Sequence, residues 1–388
     1  MSPAIRRAVR GLLEVAGLLT FARSVLGRRP DGTPKGSVAS YPKPAETTSA
    51  GSVPDATAES EYQRKLDAER ATFRDQVDVH ALPEIFHYWS NKYLLPKFQP
   101  FGFASPDDFF VLHIKPILDS ASAQFTRIAS IGAGNCDTEI RLARALRQHG
   151  HEHFCIDCLD LNDDMLQRGA RDAALNGLSA QIRAKCVDLN RWKPSERYSV
   201  VIANQSLHHI AELEKVFANI KEAMEDDGLF LTSDMIGRNG HMRWPEAKRL
   251  VDSLWTELPE RYRYNHQLKR VEHDFLDWDC STEGFEGVRA QDVLPLLIQH
   301  FHFESFFAFA NIIDVFIDRG FGHNFSVSNP WDRAFIDRVH AVDESALQAG
   351  TIKPTHILAA MRKTPVELRR YAAPFTPAFA VRDVAPGH

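Results

Sequence analysis

The sequence predicts an α/β fold: a Rossmann-like, seven-stranded, mostly parallel sheet flanked by helices, with a helical N-terminal cap and a lid inserted after the fifth strand. Three observations carry this expectation. Short apolar runs alternate with helical patterns from Thr126 onward. Two glycines one residue apart, Gly132 and Gly134, follow the first run and open a helix-like stretch. The alternation stops after the fifth run and resumes at Arg289, and the intervening Ile236–Gly287 is polar and aromatic.

Residues 1–60 precede the folded part. The stretch from Ile5 to Arg29 carries six arginines against the lone Glu14, in the pattern of a basic amphipathic helix. Its longest apolar run is too short to span a bilayer, and no small-residue cleavage site follows. It reads either as a terminal helix or as a peripheral membrane contact through residues 1–29. Gly27 to about Ser60 is rich in Pro, Gly, Ser, Thr and Ala and reads as a linker. Residues 61–120 form the expected cap, with Leu66, Phe73 and Val77 near one helical face. The aromatic stretch Glu84–Phe103 reads as a packed helical cap, or alternatively as a lid with Tyr88 and Trp89 facing a ligand.

Within residues 121–365 the expected strands are Arg127–Ile131, His153–Leu159, Ile182–Val187, Tyr198–Ala203 and Leu229–Ser233. Helices fit between them at Thr138–His149, Asp164–Asn176 and Glu212–Glu225. Helices of that length between strands imply right-handed crossovers and a parallel sheet. Gly228 suits a turn into the fifth strand. After the insertion at residues 236–287, a helix at Arg289–His300, a strand at His302–Ala308, helices at Asn311–Arg319 and Trp331–Val342, and a last strand at Thr355–Arg362 complete the domain. The proline-bearing tail, residues 366–388, reads as mobile.

Composition is that of a globular protein: 388 residues, 44% hydrophobic, 25% charged. A net charge of −5 with no strongly basic folded segment argues against a nucleic-acid partner. Five scattered cysteines suit a reducing, cytoplasmic setting better than a disulfide framework. Cys155 and Cys158 form a lone C-x-x-C inside a strand, and no ligand spacing supports a metal site.

In an open parallel sheet, ligands bind beyond the C-terminal strand ends. There the sequence offers Ser130, Gly132, Ala133 and Gly134 after the first strand, and Asp160 and Leu161 after the second. Asp188 and Leu189 follow the third strand, and Asn204 and Gln205 the fourth. Asp160 suits ribose hydroxyls, and Asp188 an adenine amino group. Asp137 stands at the start of the following helix, where a dinucleotide would place its pyrophosphate. A carboxylate there opposes phosphate but tolerates the cationic sulfonium of S-adenosylmethionine. Its bland role is an N-cap.

The stretch Ile128–Ser233 resembles the class I S-adenosylmethionine-dependent methyltransferases. The segment "SIGAGNCD" resembles their glycine-rich first motif and "DLNDDML" their ribose-binding segment. The segment "VDL" resembles the adenine-contacting motif, and "VVIANQSLHHI" the fourth-strand motif. The family often has an acid where this chain has Ser130 and a third glycine where it has Cys136. The resemblance implies methyl transfer from S-adenosylmethionine, with the acceptor held by the insertion.

The acceptor expected is a small molecule or glycan, methylated on a hydroxyl with help from a general base. His208 and His209 are the first candidates, joined by Asp234 and His241. Arg243, His323, Asn324, Tyr88 and Trp89 are candidate substrate contacts. The alternatives are transfer to nitrogen or carbon, a non-catalytic S-adenosylmethionine-binding scaffold, and an NAD-dependent reductase.

Overall fold

The computed structural model describes residues 60, 62–66, 82–121, 125–282 and 284–382. The basic segment and nearly all of the linker expected in residues 1–60 lie outside the described residues, as do Phe73 and Val77. Among the described residues, no helix is long and apolar enough to cross a membrane.

The cap consists of α1 (Glu84–Trp89), α2 (Leu95–Phe98) and α3 (Pro106–Ser120), with a π turn joining the first two. Ser105 caps α3 by accepting the Asp108 N–H, and Pro106 occupies the first turn, where no N–H is required. The alternating part follows as β1 (Thr126–Ile131), α4 (Asp137–Gln148), β2 (Phe154–Asp160), α5 (Asp163–Leu175) and β3 (Ile182–Cys186). It continues with β4 (Tyr198–Asn204), α6 (Leu213–Ala223) and β5 (Met224–Met235). The insertion holds α7 (Pro245–Thr256) and a small antiparallel ribbon of β6 (Tyr264–Asn265) and β7 (Arg270–Val271). Then come α8 (Ala290–His300), β8 (His302–Phe309), α9 (Ile313–Ile317) and α10 (Pro330–Gln348). β9 (His356–Arg362), β10 (Arg370–Tyr371) and α11 (Pro377–Ala380) end the described chain.

The strands form one sheet in the order β10-β8-β9-β5-β4-β1-β2-β3. Only β9 runs against its neighbours, pairing antiparallel with both β5 and β8. The chain leaves β1 toward β2 on one side and toward β4 on the other, so the crevice of a switch point opens above β1. Strands β1, β2 and β4 are buried almost throughout, as strands covered on both faces are. Asp157 in β2 is a fully buried charge among them, paired with Arg183, Lys185 and the Tyr198 hydroxyl.

Three expectations need correction. The sheet has eight strands, because β10 adds two residues to the edge of β8. Two residues are too few for any period to register in sequence, yet they cover an otherwise open edge. The tail is not free from residue 366: Phe375 and Ala380 are buried, and Arg382 pairs with Glu246. Finally, β5 starts at Met224 rather than after Gly228. Its register against β4 jumps from Tyr198↔Met224 to Val200↔Leu229, so Gly228 lies within a bulge.

The cap reading of the aromatic stretch, not the lid reading, describes Tyr88 and Trp89. The Tyr88 hydroxyl donates to Asp337 at 2.8 Å and Trp89 Nε1 to His340 Nδ1 at 3.3 Å, both on α10. These bonds aim the rings away from the crevice. Deeper down, Phe98, Phe103 and Phe109 close around Phe307 of β8, with ring centroids 6.3, 5.1 and 6.2 Å from it. Edge-on aromatic packing of this kind fixes the cap on the sheet. Phe307→Ala is expected to cost about 3–5 kcal/mol in chemical denaturation, because a buried ring packed by three others leaves a large hole. A loss below about 1 kcal/mol would show that the cap is not docked this way.

Candidate functional site

The first turn above the sheet is shaped by backbone, not by side chains. Gly132 and Gly134 take φ of 71° and 54°, open to glycine at little cost. A Cβ on Gly132 would sit 2.4 Å from Ser206 Cβ, so the two strand-end turns touch there. Ser206 Oγ confirms the contact by donating to Ile131 O at 2.7 Å. Cys136, itself at φ 59°, precedes α4, so Asp137 is the first helical residue rather than the N-cap expected. A carboxylate in the first turn suits the helix dipole and keeps phosphate away. Cys136 occupies the third-glycine position in the left-handed conformation that a glycine would take most easily.

The other expected donor-site residues converge on the same crevice. Asp160 Oδ2 accepts the Gly134 N–H at 2.8 Å, and Oδ1 the Asn162 N–H at 2.8 Å, which ties the loop to the end of β2. Asp188 caps the turn at Leu189 by accepting the Asn190 N–H at 3.0 Å. Asn204 Nδ2 donates to Thr138 Oγ1, and Gln205 Nε2 to Ser233 O, so both hold the end of β4 to its neighbours. Ser130 Oγ donates to Glu139 Oε1 at 2.6 Å. An acid from α4 thus stands beside this strand end, and burial pushes Glu139 up to about 7.

Two residues escaped the sequence reading. Tyr62 places its hydroxyl 2.9 Å from both Asp188 oxygens and its ring edge-on to Phe285, linking the turn after β3 to the insertion. Glu286 stands at the heart of the site. Its only sequence signal was an acid set between aromatic Phe285 and Gly287.

The histidines meet around that acid. Asp234, fully buried at the end of β5, accepts the N–H groups of Ser206 and Leu207 on Oδ2, at 3.0 and 2.8 Å. Its Oδ1 lies 2.6 Å from His208 Nδ1. On the far side, Glu286 Oε1 is 3.5 Å from His208 Nε2 and 2.6 Å from His241 Nε2, and its Oε2 is 3.6 Å from His209 Nε2. Burial alone would hold His208 neutral, but the carboxylates of Asp234 and Glu286 on its two nitrogens outweigh that and raise it to about 10. Burial would raise both acids, yet the histidines pull them down, Glu286 well below the usual range. His241 moves the other way. Burial dominates there, with His208 and His209 adding to it, and it titrates below 6.5 despite Glu286.

His208 is therefore an imidazolium clamped between two carboxylates. It cannot accept a proton at neutral pH, and Asp234 is spent on holding it. His241 is the neutral ring of the cluster and His209 its partly exposed flank. His241 adopts φ 55° in a turn where a Cβ on Gly240 would strike Asp279, so its ring is set by a strained, packed backbone.

His241 also lines a cavity of about 700 Å³, open mouth included, with Arg243, Phe275, Asp277, Trp278 and Phe321. Trp255 and Tyr262 pack against Phe321 and Phe325, Phe275 packs on Trp255 and also lines the cavity, and Trp278 lines it beside Phe321. His323 and Asn324, expected at the pocket, are not in its lining. Asn324 instead donates to Tyr262 O and Tyr264 O and fixes the small ribbon, while Gly320 and Phe321 of the same segment reach the cavity.

Two groups of described residues have ligand atoms within 4.8 Å of one another: Cys136, Glu139 and Cys158, and His208, His241 and Glu286. In the first, the Cys136 thiol and burial push Cys158 well up, which disfavours a thiolate ligand. In the second, hydrogen bonds and ion pairs already join the same atoms.

The His208 clamp carries a pH signature. Its folded value lies above the unfolded one, so its contribution is complete below about pH 6.5 and is lost as pH rises through about 10. Thermal melts from pH 6 to 10 are expected to show wild type losing stability relative to His208→Gln. A difference that stays flat over that window would contradict the clamp. Asp234→Ala leaves the imidazolium with one partner fewer and is expected to cost about 3–5 kcal/mol.

Residues 129–230 match the family model described as a methyltransferase domain. A comparison with curated proteins finds no match. Solved structures similar to the chain include an O-methyltransferase from a trans-AT polyketide synthase multienzyme of Brevibacillus brevis, in complex with S-adenosyl-L-homocysteine. It is 14% identical, with 71% of this chain and 77% of that one covered and a TM-score of 0.39. A putative sarcosine dimethylglycine methyltransferase from Galdieria sulphuraria is 17% identical, over 66% of this chain and 87% of that one, with a TM-score of 0.37. The glycine cradle at Gly132, the acids ending β2 and β3, and an Asp137 unsuited to phosphate all fit S-adenosylmethionine as the donor. Residues 129–230, with the switch-point crevice that they build, match a methyltransferase domain, and their strand-end groups fit S-adenosylmethionine as the donor.

Proposed function

We propose that the protein transfers the methyl group of S-adenosylmethionine to a hydroxyl oxygen of a polar small molecule or glycan, with His241 as general base. One observation carries the reading. His241 is at once a wall of the acceptor cavity and, at 2.6 Å, a hydrogen-bond partner of buried Glu286.

The donor supplies a methyl group on a cationic sulfonium. The backbone of Gly132, Ala133 and Gly134 with Asp137, Asp160, Leu161, Asp188, Leu189, Asn204 and Gln205 would hold it. An alcohol is a poor nucleophile until its proton has somewhere to go. With Nε2–H donated to Glu286, the His241 tautomer carries its lone pair on Nδ1. The acceptor proton passes to Nδ1, and the imidazolium so formed is stabilised by Glu286. His208 keeps Glu286 ionised and in place without exchanging a proton itself. His209 shares the same carboxylate and serves as a positioning residue.

With tritiated donor and purified protein, His241→Ala is expected to lower kcat by about 10²–10⁴-fold while donor affinity stays unchanged. Glu286→Gln should fall in the same range if the dyad acts as a unit. Because the base must be neutral, activity is lost as pH falls through the His241 value, so the acid limb of kcat/KM should lie below pH 6.5. A His241→Ala enzyme of near-normal rate would overturn the assignment, and methyl recovered on nitrogen or carbon would overturn the hydroxyl acceptor.

A further inference from the structure

The acceptor cavity holds more unmet polar capacity than a plain hydroxyl compound would answer. Along its walls and floor, Arg243 Nε, both amide atoms of Gln267, Asp314 Oδ1 and Asp318 Oδ1 are buried without a hydrogen-bond partner among the described residues. Arg243 and Asp314 are more than nine-tenths buried, at 8% and 3% exposure. Burying such groups unpaired is costly, and a site retains them when a ligand completes them.

Charge narrows what that ligand is. Four carboxyls line the cavity, Glu272, Asp277, Asp314 and Asp318, against one arginine, Arg243. Two of the four are answered locally. Glu272 Oε1 is 3.3 Å from Arg270 Nη2, and Asp277 accepts the Arg243 N–H at 2.8 Å. The other two are answered in part. Asp314 meets His356 and Thr355 through Oδ2 only, and Arg319 Nη1 stops 3.6 Å from Asp318 Oδ1. Burial, with Asp314 adding to it, raises Asp318 to about 6. The third element is apolar: Phe275, Trp278 and Phe321 give the cavity flat aromatic walls. Aromatic faces hold the C–H faces of saturated rings and attract cations.

We propose that the acceptor is a saturated polyhydroxylated ring bearing a protonated amine, of the amino-sugar or aminocyclitol class, with the amine at Asp314 and Asp318. Hydroxyls, which both donate and accept, answer Gln267 and Arg243, and the ring lies along Trp278 and Phe275. The inference rests on the hydroxyl-transfer reading and names the substrate class for that cavity.

Ligand-observed NMR titrations in the presence of S-adenosylhomocysteine test it with glucosamine, N-acetylglucosamine and glucose as probes. Glucosamine is expected to bind at least about tenfold more tightly than the other two, and Asp318→Asn to remove that preference. Should Asp318→Asn fail to fold, Gln267→Ala is expected to weaken all three probes while leaving the preference for the amine. Equal binding of the three, tighter binding of a neutral probe, or no binding of any at tens of millimolar overturns the proposal. The affinity for S-adenosylhomocysteine is read in the same samples. Its loss would count against the methyltransferase site itself, whereas its retention with no amine preference would sink only the substrate class.

Discussion

The carboxylate of Asp234 is the constraint on which the site depends. It ends a central strand, fully buried, and spends its lone pairs on the turn that follows the neighbouring strand. That turn carries His208 and His209, so one side chain fixes both the backbone and the charge of the histidine pair. A buried carboxylate is tolerable only when its acceptor capacity is filled, and here backbone N–H groups and an imidazolium fill it. The same turn presses Ser206 against Gly132, which couples the glycine loop to the histidine cluster through direct contact.

Glu286 completes the arrangement from the other side. It comes from the far end of the insertion, yet it meets three histidines from two separate segments. The pair of acids on His208 holds that ring in its charged form at neutral pH, and the cation in turn keeps Glu286 ionised. His241 is left as the neutral member. Environment thus separates neighbouring imidazoles of one type: His208 is pushed toward the charged form and His241 toward the neutral one.

The insertion is neither a simple cover nor a simple subdomain. Its Trp255 and Tyr262 pack against Phe321 and Phe325, which lie beyond residue 287, and so tie it to the later part of the chain. Phe275, Trp278, Asp277 and Arg243 line the cavity beside that contact.

Local pattern determined the alternating core, the order of its elements and the acids at its strand ends. Those depend on short-range periodicity and on glycines forced by a tight turn. So β1 to β4, the glycine loop, Asp160 and Asp188 stand where the sequence placed them. What only the tertiary structure decided were contacts between residues far apart in the chain. Glu286 lies far along the chain from His208, and no spacing predicts their meeting. Tyr88 and Trp89 faced α10 rather than the crevice because Asp337 and His340 offered partners there. The two-residue β10 carries no period, and its place was set by the edge it covers. The division among the histidines was not legible either, because a residue's type does not reveal which carboxylates will surround it once buried.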